Sequence, residues 1–316
     1  MTDHLRQRGR DGDLHDGIVG GMLGVHCGDS LGATYEFSAP NIGPPLRDIV
    51  GGGPFGWDPG DATDDTDLTI CVARGYVALR RGDVEDDPEA LARWVASELV
   101  GWKRSDPVDI GNTTARALAS IEHGEDPLTA GLTSDRSAAN GGLMRCLPTA
   151  MARADDVTRH RETALISSIT HREPRCLDAA VAYNDIAHHL LAGRPPDEAI
   201  DRAVSMLAER EHDDRTRAAI ADARRASAMP WDSGGYVLTS LAIAVWAVCQ
   251  PRPAEAVLSE VCNAGGDADT NGAIAGGLLG VRHGASAWPT RWVDTLQRAA
   301  ELRRLADDLL AVRKTA

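Results

Sequence analysis

Two short acidic motifs stand far apart in the chain, Thr63-Asp64-Asp65-Thr66 and Gly265-Gly266-Asp267-Ala268-Asp269-Thr270. Each precedes an apolar, helix-patterned segment, so each is expected at a helix N-terminus. Brought together, their four carboxylates would repel strongly in a low-dielectric site. Such a cluster persists only around a cation, or with some of the acids protonated. Carboxylates interleaved with Thr hydroxyls, with no Cys or His beside them, suit hard cations such as Mg²⁺, Mn²⁺ or Ca²⁺. Either motif alone reads equally well as ordinary helix capping, because Asp and Thr are good N-caps and acids complement the helix dipole. Finding two such motifs in one chain favours metal. An EF-hand is excluded: Asp267, Asp269, Asn271 and Gly272 match the first half of its loop, but the closing Glu position is Leu278.

The elements that must position these motifs read as helices throughout. Helical spacing predicts Asp16–Tyr35, Asp67–Arg81, Pro88–Lys103, Leu143–Ala152, Arg161–Ile169, Arg175–Leu191, Pro196–Glu209, Asp214–Ser227, Gly235–Cys249, Pro253–Ala264, Asn271–Gly280 and an amphipathic C-terminal helix, Trp288–Arg313. No alternating strand pattern stands out, and the short turns lack linker composition. The expectation is an all-α, compact single-domain bundle of many helices over residues 16–316, preceded by a polar, flexible tail over residues 1–15. Residues 38–62 are rich in Pro and Gly, long enough to suggest a functional lid. This loop contains Gly51-x-Gly53-x-x-Gly56, but no strand precedes it and Trp57-Asp58-Pro59-Gly60 follows where a helix should begin. A dinucleotide fingerprint is therefore discounted.

The 316 residues are 43% hydrophobic but only 4% aromatic, so the core must be built from Ala, Leu, Val and Ile, as in close-packed helices. A net charge of −14 argues against nucleic acid or an anionic membrane as partner. Six scattered cysteines form no C-x-x-C pair and read as buried thiols. The first residues lack a signal-peptide core, and the longest apolar run, Tyr236 to Cys249, is too short to span a bilayer. A cytoplasmic monomer is expected.

Six segments in order resemble the ADP-ribosylglycohydrolases, especially the bacterial dinitrogenase reductase-activating type. They are Gly28-Asp29-Ser30-Leu31-Gly32-Ala33-Thr34-Tyr35-Glu36, Thr63 to Thr66, Asp109-Ile110-Gly111-Asn112-Thr113-Thr114, Ser137 to Arg145, Ile169-Thr170-His171, and Gly265 to Ala273. The resemblance implies an all-α hydrolase that cleaves ADP-ribose from an amino-acid side chain at a binuclear Mg²⁺ or Mn²⁺ centre. It places the metal ligands at Thr63, Asp64, Asp65, Asp267, Asp269 and Thr270, and catalytic acids at Glu36, Asp65 and Asp269. Substrate contacts would fall on Asp109, Gly111, Asn112, Ser137, Asn140, Gly141 and His171. Ala268 replaces the Thr of many relatives, at a position that is not a usual ligand. Ala138 and Ala139 stand where some relatives carry an aromatic residue.

Chemistry fits the resemblance. Paired divalent ions can orient a ribose diol and a bound water against the anomeric carbon, and carboxylates stabilise an oxocarbenium-like state. Gly/Asn turns and helix N-termini present N–H groups to phosphate. The favoured linkage is ADP-ribosyl-arginine, because Asp109 lies in the turn that resembles the arginine-directed bacterial enzymes and its carboxylate can pair with a planar guanidinium; the alternative is that Asp109 only caps the following helix. ADP-ribosyl-serine, another O-linked or small-molecule ADP-ribose substrate, and a non-catalytic ADP-ribose-binding relative are the alternatives. A His-Asp phosphohydrolase is disfavoured, because His212-Asp213 lies in a charged, solvated run.

Overall fold

The computed structural model describes residues 2–40, 45–209, 214–230 and 234–315. The His212-Asp213 dipeptide lies outside them. Among the described residues there are fourteen α-helices and no strand, only isolated bridges. They are α1 (Thr2–Gly32), α2 (Asp64–Arg81), α3 (Pro88–Lys103), α4 (Asn112–Glu122), α5 (Leu147–Ala152), α6 (Asp156–Ser168), α7 (Pro174–Leu191), α8 (Pro196–Ala208), α9 (Asp214–Arg225), α10 (Val237–Cys249), α11 (Ala254–Cys262), α12 (Ala268–His283), α13 (Thr290–Val293) and α14 (Ala299–Thr315).

The centre is an antiparallel pair, α1 against α12, joined along a stripe of small residues. Gly20, Gly24, Gly28 and Gly32 face Gly280, Gly276, Gly272 and Ala268. A Cβ at Gly24 would stand 2.2 Å from the Gly276 carbonyl oxygen, and one at Gly28 2.0 Å from that of Gly272. Only glycine permits backbones this close. The register has a functional consequence: the C-terminal turn of α1, carrying Asp29, ends beside the first turn of α12, carrying Asp269. Around this pair pack the apolar α10 and the buried faces of α2 and α7. Specific polar ties join the helices. The Tyr183 hydroxyl of α7 donates to the Ile274 carbonyl of α12 at 2.9 Å, and Tyr76 of α2 donates to Glu162 of α6 at 2.8 Å.

Three sequence expectations change. Residues 2–15, expected as a tail, continue α1, and His15 Nε2 meets Asp307 Oδ1 of α14 at 2.7 Å. The helix expected from Leu143 begins at Leu147, because Pro148 lacks an N–H and fits only in a first turn. The C-terminal helix is broken between α13 and α14. There Leu296 is buried and the Gln297 N–H donates to the Gly60 carbonyl at 3.0 Å, so docking of the 38–62 loop overrides local helicity.

Candidate active site

The two acidic motifs meet. Thr63 caps α2, and Asp64 and Asp65 lie in its first turn. Asp267 precedes α12, and Asp269 and Thr270 lie in that helix's first turn. The Thr63 hydroxyl accepts from the Asp65 N–H and donates to Asp65 Oδ2, both at 3.3 Å. The Thr270 hydroxyl donates to the same Oδ2 at 3.1 Å, bridging residues separated by most of the chain. Asn140 Nδ2 donates to Asp267 Oδ2 at 2.5 Å and to the Ser240 hydroxyl at 3.0 Å, which fixes the second motif from α10.

Glu36 reaches the cluster from the turn after α1. That turn is clamped to the second motif: the Phe37 N–H donates to the Gly266 carbonyl at 2.6 Å, and the Gly266 N–H to the Ser38 carbonyl at 2.9 Å. Gly265 adopts φ +70°, and a Cβ there would stand 2.4 Å from Ser38 O, so the clamp requires glycine. Asp109 comes from the segment before α4. One carboxylate oxygen each from Glu36, Asp109 and Asp269 lies within 4.8 Å of the other two, an arrangement that could hold a metal ion.

Above the acids opens a cavity of about 350 Å³, lined by Glu36, Phe37, Asp64, Asp109 and the 111–114 turn, and by Asn140, Gly141, His171, Asp267, Asp269 and Thr270 among others. Gly111 caps α4 without a side-chain bond, and residues 111–114 at its start line this cavity. A Cβ at Gly141 would stand 2.7 Å from His171 Cε1, so the imidazole and the turn are packed in direct contact. Of the residues singled out in the sequence, Thr63, Asp65 and Ser137 do not line the cavity. Asp65 is fully buried beneath it. Ser137 is buried, and its hydroxyl donates to the Ser134 carbonyl at 2.5 Å.

Burial dominates the electrostatics. It raises Asp64, Asp65 and Asp269 well above the usual carboxylate range, and the charges that add to the shift are the other carboxylates. Asp267 is raised by burial, and Asp109 by burial and then by Asp267. Glu36 is pushed up to about 8, by burial first and then by Asp109, Asp267 and Asp29. Burial lowers His171 to about 3, so its imidazole is neutral. Glu36 Oε2, Asp65 Oδ1 and Asp269 Oδ1 are buried with no hydrogen-bond partner among the described residues. Orphaned, mutually repelling oxygens are the donor set expected around a hard cation.

Sequence reasoning passed over two supporting residues, although both lie in segments that carry the resemblance. Asp29 is fully buried and accepts from the Thr63 N–H at 3.1 Å, the Thr66 N–H at 3.2 Å and the Thr66 hydroxyl. It holds the first motif in shape, and burial raises it to about 7. Arg145, also fully buried, donates to the Gly141 carbonyl at 2.6 Å and the Thr170 hydroxyl at 2.8 Å, and that hydroxyl meets His171 Nδ1 at 2.8 Å. An acid or arginine inside an otherwise apolar or Gly-rich run was the available signal. A larger cleft, about 810 Å³, lies along α6 to α8 around His160 and Asp185, but Asp185 is already tied to Arg159 and His160.

The sequence profile of a family described as ADP-ribosylglycohydrolase matches residues 10–316. ADP-ribosyl-[dinitrogen reductase] glycohydrolase of Rhodospirillum rubrum is 32% identical over 95% of this chain and 97% of its own length. ADP-ribosylarginine hydrolase Tri1 of Serratia proteamaculans is 30% identical over 93% of this chain and 79% of its own. A solved structure titled ADP-ribosylglycohydrolase-related protein complex superposes with a TM-score of 0.82 at 30% identity, covering 95% of this chain and 99% of that one.

Proposed function

Because the chain belongs to the ADP-ribosylglycohydrolase family, and is thus a glycosidase-type hydrolase, we propose that it cleaves the N-glycosidic bond between ADP-ribose and a protein arginine, using two divalent cations, Mg²⁺ or Mn²⁺. The observation that carries this reading is the convergence of both acidic motifs, Glu36 and Asp109 on one cavity, with three buried carboxylate oxygens unpartnered. Asp64, Asp65, Asp267, Asp269, Thr63 and Thr270 would hold the cations, and Glu36 and Asp109 stand close enough to Asp269 to share in that role. When bound, the cations supply Lewis acidity toward the ribose diol and a water.

The chain's own groups account for the rest. The N-terminus of α4 and the Asn140-Gly141 turn line the cavity and would suit the diphosphate. Asp109 pairs with the guanidinium of the leaving arginine. As the C1″–N bond breaks, the leaving nitrogen takes the bond's electron pair, and the neighbouring carboxylates stabilise the oxocarbenium-like carbon. Water supplies the new C1″–O bond. With cations bound nearby the Glu36 carboxylate would be ionised; it accepts the proton from that water and passes it to the departing guanidine, so no net proton is consumed.

A cytoplasmic location belongs to the same reading. All six cysteines are unbridged, which fits a reducing compartment, and no described helix is long and apolar enough to cross a membrane.

The test is release of ADP-ribose from arginine-linked and serine-linked peptides, with and without EDTA, by wild type and Asp109→Ala. Expected are chelator-sensitive release, preference for arginine, and a selective loss on arginine in the variant. Full activity in chelator-treated protein refutes the metal assignment. Preference for serine, or equal weakening of both substrates by Asp109→Ala, refutes the linkage. No release from any substrate supports a non-catalytic binder.

A further inference from the structure

Phe37 combines three features that packing does not explain. The residue is 69% exposed, the most exposed aromatic among the described residues. Its backbone sits at φ +56°, a left-handed conformation that bulky side chains rarely adopt. It follows Glu36 directly and lines the same cavity. The clamp to Gly266 holds this conformation in place. Strain and apolar exposure together, with no burial in return, point to function.

The ring is not free to wander. It meets Phe55 edge-on at 6.3 Å, and Phe55 lies 5.9 Å from Trp57, so the 38–62 loop supports it from one side. Tyr236, another exposed ring, is covered by a cation: Arg175 lies 5.6 Å over it. Among the described residues no cation covers Phe37. Glu36 is its chain neighbour, and Asp109 lines the same cavity as Phe37.

We propose that Phe37 supplies the aromatic face on which the guanidinium of the modified arginine stacks while Asp109 pairs with its edge, making Phe37 a specificity-determining residue for the arginine linkage. A guanidinium is planar and weakly hydrated, so it can stack on one face and hydrogen-bond at its edge simultaneously. A serine ether has neither property. The inference rests on the arginine-directed activity proposed above.

The experiment uses full-length, Mg²⁺-loaded wild type, Phe37→Leu and Phe37→Tyr. It measures steady-state kinetics on an arginine-linked ADP-ribosyl peptide, and binding of free ADP-ribose, which lacks the guanidinium, by calorimetry. Phe37→Leu should raise KM for the peptide about 5- to 30-fold, the range a cation–π contact supplies. Its ADP-ribose Kd should stay within roughly 2-fold of wild type, and Phe37→Tyr, which keeps the aromatic face, should restore KM. An unchanged KM in Phe37→Leu overturns the inference. So does a matching loss of ADP-ribose affinity, which marks Phe37 as a mere anchor of the Glu36 turn. If wild type itself releases nothing from the arginine-linked peptide, the activity reading falls and this inference with it. Turnover by wild type alongside an indifferent Phe37→Leu removes only the inference.

Discussion

Replacing Asp29 with Ala isolates the support beneath the proposed metal site from the site itself. In the native protein the Asp29 carboxylate accepts from the Thr63 N–H, the Thr66 N–H and the Thr66 hydroxyl, all in a fully buried setting. Truncation leaves three buried donors without a partner, at roughly 1–3 kcal/mol each, and some share one relaxation. The expected loss is about 3–6 kcal/mol in Mg²⁺-loaded protein, or on the order of 5–12 °C in Tm. In chelated protein the loss should be smaller, because Asp29 also repels Glu36, Asp64, Asp65 and Asp269, and its removal relieves that repulsion. Thr66→Val, which removes one hydroxyl donor and keeps the shape, should cost only about 1–2 kcal/mol. Activity of Asp29→Ala should fall at least ~100-fold below the unfolding temperature, since a displaced 63–66 turn misplaces its ligands. Melting curves with and without EDTA, beside ADP-ribose release, check each step. An Asp29→Ala protein that melts with wild type, or that melts early but turns over normally, refutes the argument that this carboxylate shapes the motif.

Two further outcomes follow from the same cluster. Asp269→Asn keeps the volume but removes a ligand charge, so metal content and turnover should collapse while far-UV circular dichroism stays helical. Near wild-type turnover would sink the ligand assignment, and outright unfolding would favour the helix-cap reading. Metal-free protein should lose stability as pH rises. Asp29 and Glu36 are raised to about 7 and about 8 in the folded state, so folding binds protons, and this stabilisation is complete below the unfolded carboxylate pKa and is lost as pH climbs through roughly 4 to 8. Added Mg²⁺ should reverse the trend by binding the ionised form. A metal-free Tm that rises over that interval contradicts the electrostatic account.

Much of this protein was legible in the residues alone. Helical periodicity and an aromatic-poor composition are local, additive properties, so they announced the helices and their all-α packing without knowledge of any contact. The Asp/Thr motifs were legible as chemistry because four carboxylates and their hydroxyls define a donor set wherever they lie. The Thr270 hydroxyl reaching Asp65 was not legible, because register between distant helices is set by the glycine stripe of α1 and α12, and no local rule pairs Gly28 with Gly272. The break between α13 and α14 was equally hidden, since its cause is the Gly60 carbonyl from another part of the chain. Asp29, Arg145 and Phe37 look like an acid, a base and a core aromatic until burial is known. Tertiary structure alone makes the first two buried struts and leaves the third exposed beside Glu36, because burial is a property of the whole packed assembly and not of any residue's own type.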